Sequence, residues 1–404
     1  MSFLLGYDIG SSSIKAALLD VQSGRCLASA TGSDEELRIR VPKPGFAEQD
    51  PEMWWEEVIK ATRRLQQQYP FDASAVKGIG VAYQMHGLVC VDEKGEVLRP
   101  SIIWCDSRAV KIGDEAAKSL GEAYTLPHLL NSPGNFTASK LRWVQLNEPA
   151  LYAKIRHIML PGDFIAMRLT GVPATTLSGL SEGIFWDFKE GKVSEQLLEL
   201  YGIDASLLSP IVPTFGEQGK VTKAAAELLG LKEGTPVTYR AGDQPNNAFS
   251  LNVLQPGEAA TTAGTSGVVY AVHNQPAFDA KSRVNAFIHV NHTEKETRNG
   301  VLMCLNGTGI LNSWLRQVSG GMPYDKMNVL AATAPPGRKA CVFSHSATAR
   351  KEYCKTGSPA PACRGSTLAS IPPRTCSAPG RKASCSPWLT GWTSCAPWAC
   401  ASTA

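Results

Sequence analysis

One device occurs twice in this chain. Apolar residues run or alternate over 3–9 and 14–21, separated by Gly10-Ser11-Ser12-Ser13. The same design returns at Ala259–Ala263, Gly264-Thr265-Ser266-Gly267 and 268–272. Each copy reads as a strand, a tight turn and a second strand. Between them, strand-like and helix-like stretches alternate. Asp50-Pro51-Glu52 opens a helix, with Asp50 as N-cap and Pro51 at the first helical position, and apolar residues then keep helical spacing to about Leu65. Val76–Tyr83 reads as a buried strand, residues 88–91 as a strand entering a hairpin turn, and 109–171 as largely helical, including 137–145 and 150–160. A further strand lies at 235–240. Such alternation predicts an α/β fold, and a repeated device predicts two related lobes closing on a central cleft.

Charge and cysteine divide the 404 residues unevenly. The whole chain has 40 Lys and Arg against 36 Asp and Glu, a formal charge of +4. Residues 337–404 hold nine of the bases and one acid, Glu352, which leaves 31 bases against 35 acids before them. A mildly acidic body argues against a nucleic-acid face. Seven of the 11 cysteines also crowd this tail, with no C-x-x-C spacing, so neither a zinc site nor a closed disulfide framework is indicated. Rich in Ser, Pro, Cys and Arg and without sustained periodicity, 336–404 reads as an aberrant or disordered tail, the product of a reading-frame shift or a genuine unfolded segment. No apolar run is long enough to span a membrane. The N-terminus lacks the basic start of a signal peptide, which points to the cytoplasm.

The candidate chemistry sits in short segments. In the first turn, Gly10 permits close approach to a phosphate, Ser11, Ser12 and Ser13 offer donors, Lys15 adds a positive charge, and Asp8 at a strand end could orient the waters around Mg²⁺. A plain hairpin with an Asp-capped turn is the structural alternative. Gly264, Thr265, Ser266 and Gly267 carry the same two readings. Asp243, in Ala241-Gly242-Asp243-Gln244, is a candidate base for a hydroxyl attacking a phosphate; the alternative is an N-cap. His86, in Gln84-Met85-His86-Gly87 after a buried strand, could donate to a sugar oxygen, with Met85 walling one side. Trp104, Asp106 and Arg108 could pack on and hydrogen-bond a polyol, or form an ion pair beside a core Trp. Asn306-Gly307-Thr308-Gly309 reads as a loop. Two phosphate-type turns around one carboxylate suit phosphoryl transfer from a nucleotide to a hydroxyl, which needs positioning and charge neutralisation more than covalent chemistry.

As an ordered set, these segments together with Lys140-Leu141-Arg142-Trp143 resemble the FGGY carbohydrate kinases, over about residues 3–335. The resemblance implies an actin-like, ribonuclease-H-type fold. It divides the chain into a sugar-binding lobe at 1–236, a partial second lobe at 237–335 with the catalytic Asp and second phosphate loop, and the tail at 336–404. It implies ATP with Mg²⁺ as donor and a ketose, D-xylulose at its 5-hydroxyl, as acceptor. Asp243 matches the family's base, Met85 and His86 its sugar-contacting pair, and Asp8 its metal-associated aspartate. Ser11, Ser12 and Lys15 fall in the first phosphate loop, and Gly264, Thr265 and Ser266 in the second. The family's Gly-rich adenine-binding segment has no counterpart after Pro336, which leads to the expectation that this chain is impaired. Alternatives are a non-catalytic sugar-binding member, a kinase for another sugar or polyol, and an actin- or Hsp70-like ATPase. No nucleic-acid or membrane partner is expected, and a homodimer is allowed.

Overall fold

A computed structural model describes residues 1–263, 267–305 and 308–333. The chain divides into two compact units. The first comprises Met1–Ser250, Asn274–Phe278 and Ala286–Asn299; the second comprises Leu251–His273, Asp279–Asn285 and the described residues from Gly300 on.

The first unit is built on a five-stranded sheet. Its centre is β1 (Phe3–Ile9), which pairs antiparallel with β2 (Ile14–Asp20), itself antiparallel to β3 (Cys26–Thr31). On the other side of β1 lies the strand Val76–Tyr83, and beyond it at the edge Val237–Gly242, both parallel to β1. Alternation drives this arrangement. Phe3, Leu5, Tyr7 and Ile9 on β1 and Ile14, Ala16 and Leu18 on β2 are buried, with less buried residues between them. The parallel Val76–Tyr83 strand is buried almost throughout, as expected where helices cover a sheet.

Helix α1 (Pro51–Gln68) covers β2 and β3. Its start follows the sequence expectation, because Asp50 accepts the Glu52 N–H at 3.0 Å and Pro51 occupies the first turn. Trp54, Trp55, Val58, Ala61 and Leu65 form its buried stripe, and Thr62 Oγ1 lies 2.8 Å from the Tyr7 hydroxyl. The helix Pro161–Thr170 packs against Val76–Tyr83 and Val237–Gly242.

Two expectations change. Residues 150–160 are not one helix: the helix Pro149–Tyr152 stops, and His157–Met159 is a strand antiparallel to Val89–Val91. Pro161 drives the extended backbone before it, since the residue preceding a proline avoids the helical region, and Leu160 has φ −77° and ψ 163°. The lobe boundary also moves from 236/237 to Ser250, because Val237–Gly242 completes the first sheet and the helix Asp243–Ser250 follows directly from it.

In the second unit, Ala259–Ala263 and Gly267–His273 pair antiparallel, as the repeated device predicts. Val268, Val269, Tyr270 and Val272 are buried there. The turn residues Gly264, Thr265 and Ser266, like Asn306, Gly307 and the tail beyond Thr333, lie outside the described residues. Among the described residues, no helix is long and apolar enough to cross a membrane.

Beneath the parallel strands, Arg240 lies 3.2 Å from Asp163, both side chains almost fully buried. Removing one partner strands a charge away from water. Arg240→Ala is therefore expected to lower stability by about 3–5 kcal/mol, while Arg240→Met with Asp163→Leu loses much less than the sum of the single changes; denaturant titration of the three variants checks this.

Candidate active site

The sheet register brings the candidate acids to one edge. Asp8, Ala82 and Ala241 occupy one row across the three parallel strands, and Ile9, Tyr83 and Gly242 the next. The chain leaves the sheet just beyond, at Gly10, Gln84 and Asp243, the end where ligands bind in open α/β sheets. Asp8 and Asp243 thus share the carboxyl end of the sheet, close enough for the charge of Asp8 to act on Asp243.

Asp243 is the first residue of its helix and only partly exposed. Burial, then the nearby Asp8 charge, pushes its carboxyl up to about 7, against the weaker pull of hydrogen bonds at Gln244 and its own backbone. The helix starts at Asp243 itself and not after it, and the hydrogen bonds at Gln244 do not hold the group in the usual carboxylate range. Gly242 is needed for close approach: a Cβ there would meet Met85 Cγ at 2.6 Å and Glu182 Oε2 at 2.7 Å. The strand leading into the base is in this way pressed against the Met85–His86 turn.

Asp8 faces Lys15 across the β1–β2 hairpin and pairs with it at 3.2 Å. Both side chains are about half exposed, so the pair contributes about 1 kcal/mol at most and yields readily to a stronger partner. At the turn, Gly10 N–H donates to Ser13 O at 3.1 Å, and a Cβ on Gly10 would meet that oxygen at 2.8 Å. The carbonyls of Ser11 and Ser12 accept from Gln49 Nε2 at 2.7 Å and Leu37 N–H at 2.8 Å. With three successive carbonyls bonded to protein donors, the turn presents hydroxyls and N–H groups, the polarity an anion requires.

Trp104, expected either on substrate or in the core, is largely exposed and donates its indole N–H to Ser11 Oγ at 3.3 Å. Asp106 and Arg108 turn inward instead. Asp106 is fully buried; its Oδ2 accepts from Arg108 Nε and Nη2 at 2.9 and 2.7 Å and from Ala47 N–H at 2.6 Å, and its Oδ1 accepts from Arg108 N–H at 2.7 Å. The Arg108 guanidinium also reaches Glu48 at 2.9 Å and lies against the Phe46 and Trp143 rings, 3.8 and 4.7 Å from their centroids. Of the two readings for this segment, the ion pair describes Asp106 and Arg108, and the substrate-contact expectation for them gives way. Their charges already have partners in a dry setting.

His86 adopts a left-handed backbone, φ 61°, which costs a non-glycine residue on the order of 1–3 kcal/mol unless its surroundings hold it. Its Nδ1 lies 3.1 Å from Glu182 O. A carbonyl only accepts, so Nδ1 carries the proton and Nε2 is the acceptor. Burial between Phe136 and Phe287, with Lys140 nearby, lowers the ring to about 3 and keeps it neutral. His86 was expected to donate to a sugar oxygen; with Nδ1 turned to Glu182 O, the nitrogen left to meet a ligand is Nε2, an acceptor.

Three supporting residues carry no site role in the sequence reading. Lys140 is buried and donates to His86 O at 2.6 Å. Glu182 Oε1 accepts the His86 N–H at 3.2 Å, and burial raises the Glu182 carboxyl well above the usual range. Asp163, paired with Arg240, is the third. Among the described residues, no group of three or more His, Cys, Asp or Glu could hold a metal ion. An all-protein metal cage is therefore absent from these residues, whereas one or two carboxylates remain available to share a cation with phosphate oxygens.

Residues 3–250 match the N-terminal domain of the FGGY family of carbohydrate kinases. The chain belongs to that family. The xylulose kinase of Escherichia coli strain K12 is 30% identical over 285 residues, 70% of this chain and 57% of that protein. The xylulose kinase of Bacillus subtilis strain 168 is 30% identical over 302 residues, 74% of this chain and 58% of that protein. The chain thus spans a little over half the length of these relatives. The crystal structure of xylulose kinase from Rhodospirillum rubrum superposes with a TM-score of 0.84 at 25% identity, covering 98% of this chain and 79% of that one. The fold is the mixed α/β, actin-like ATPase fold of FGGY sugar kinases.

Two predictions follow from the buried charges. Arg108→Lys keeps the charge but loses the forked pairing and ring stacking, and is expected to destabilise by about 2 kcal/mol or more in denaturant titration. Unchanged stability with lost sugar affinity would restore the contact reading. For Asp243, the folded carboxyl holds its proton to higher pH than the unfolded one, so the linked stability is full in acid and is lost as pH rises through about 7. Asp243→Asn should accordingly raise Tm over the parent, by more at pH 8 than at pH 5.

Proposed function

We propose that this chain carries the sugar-phosphorylating site of a xylulokinase, transferring the γ-phosphoryl group of ATP to the 5-hydroxyl of D-xylulose with Asp243 as general base. The observation that carries the reading is the placement of a desolvated carboxylate beside Asp8 at the carboxyl end of the sheet, raised to about 7. A base serves best when its pKa lies near the working pH. The relatives that match this chain are named xylulose kinases, which supports the choice of sugar.

Each residue then has a defined task. Asp243 takes the proton of the attacking hydroxyl, and Gly242 lets it stand close to the sugar turn. Met85 walls the pocket with apolar surface. His86 Nε2 accepts from a second sugar hydroxyl while its ring stays neutral, and exposed Trp104 offers an apolar face beside the Ser11 turn. Ser11, Ser12 and Ser13 hold phosphate oxygens with hydroxyl and N–H donors, and Lys15 releases Asp8 to add its positive charge there. Gly264, Thr265, Ser266 and Gly267 are proposed as the second phosphate loop. The residues fit Mg²⁺ in the mode that uses one or two carboxylates with phosphate oxygens, Asp8 being the ligand on this side. The nucleotide with its metal supplies the phosphoryl group and neutralises charge that develops on it.

Asp243→Asn tests the assignment. In a coupled ADP-release assay with D-xylulose, kcat is expected to fall about a hundred- to ten-thousand-fold while sugar affinity by calorimetry changes little. In the parent, kcat/KM should rise about tenfold per pH unit up to about pH 7 and then level. A variant that keeps parental turnover, or a parent whose rate is flat from pH 5 to 8, removes the base from Asp243.

A further inference from the structure

We propose that Glu182 is a positioning residue that clamps the His86 turn to the strand leading into the base, so that the nitrogen that accepts from the sugar and the general base keep a fixed relation. This rests on the sugar-kinase reading of the site, and it assigns a role to a residue that no motif marks.

Glu182 ends the short helix Leu177–Glu182, which Thr176 caps by accepting the Gly179 N–H. At that end, main-chain carbonyls lack helical partners. The Glu182 carbonyl meets His86 Nδ1 at 3.1 Å, and its side-chain Oε1 accepts the His86 N–H at 3.2 Å. One residue therefore grips both the ring and the backbone of His86. The carbonyl sets the ring tautomer, and the carboxyl holds the left-handed backbone at φ 61°. Lys140 secures the following peptide group through His86 O at 2.6 Å.

The second carboxyl oxygen points the opposite way. Oε2 is buried without a hydrogen-bond partner and lies against Gly242, where an added Cβ would sit 2.7 Å from it. Glu182 is 1% exposed. A carboxylate so placed is tolerated when it keeps its proton. The charged and titratable groups acting on it are Asp163, Asp243 and Lys140, with burial the largest influence, and the carboxyl is held well above its usual range. Glu182 in turn acts on the buried Tyr83 hydroxyl, which also feels Asp163 and Arg240. In this setting Glu182 contributes an acceptor at Oε1 and a filled volume at Gly242. A glutamine supplies both; an alanine supplies neither.

The test compares Glu182→Gln and Glu182→Ala with the parent by steady-state kinetics with D-xylulose and by amide hydrogen exchange at His86. The parent should protect the His86 amide. Glu182→Gln should keep that protection, KM within about twofold and an unmoved acid limb of the pH profile. Glu182→Ala should speed exchange at least about tenfold and raise KM at least about tenfold, with kcat within about threefold. An unprotected His86 amide in the parent, which needs no variant, overturns the clamp. So does an alanine variant with parental exchange and KM, or a glutamine variant as impaired as alanine. If exchange behaves as expected but the parent does not turn over D-xylulose, the kinase reading falls and the clamp stands.

Discussion

A carboxylate largely withdrawn from water, just beyond the end of a parallel strand, is the constraint around which the first unit is arranged. Asp243 ionises reluctantly because its surroundings solvate it poorly and because Asp8 occupies the same sheet edge. Both conditions come from register. The rows Asp8–Ala82–Ala241 and Ile9–Tyr83–Gly242 place the two acids together, and a slip of one residue in either pairing would turn one of them to the opposite face. The apolar alternation of β1 and the near-continuous burial of Val76–Tyr83 hold that register, so core packing and the site share one cause.

Around this edge the polar groups divide into two kinds. Those beneath the site, including Asp106 with Arg108, Asp163 with Arg240 and Lys140 with His86 O, are buried and engaged, and they fix the positions of loops. Those at the turn, Ser12, Lys15 and Asp8, are more exposed and weakly held. A rigid shelf with a loosely paired rim suits a reaction that depends on positioning and on meeting charge brought by the substrate.

Much of this was legible in the amino-acid order, wherever local chemistry decides. The start of α1 follows from Asp50-Pro51, and the two hairpins follow from alternation around small polar turns. Legibility failed where distant residues decide. The stretch 150–160 has helix-compatible residues, yet Pro161 and pairing with Val89–Val91 make its end a strand. Asp106 and Arg108 were undecided until Phe46, Glu48 and Trp143 closed around them. His86 was marked, but its tautomer depends on a carbonyl 96 residues away. Glu182 carried no signal, because its meaning lies in contacts with His86 and Gly242 that only the folded chain creates.

The central claim is that the side chain at position 243 titrates near neutrality in the folded protein. Carbon-13 NMR of the aspartate carboxyl carbons, with the Asp243 signal assigned by its loss in the Asp243→Asn variant, measures this without substrate. A midpoint at about 7 is expected. A midpoint in the ordinary aspartate range, close to 4, would contradict it.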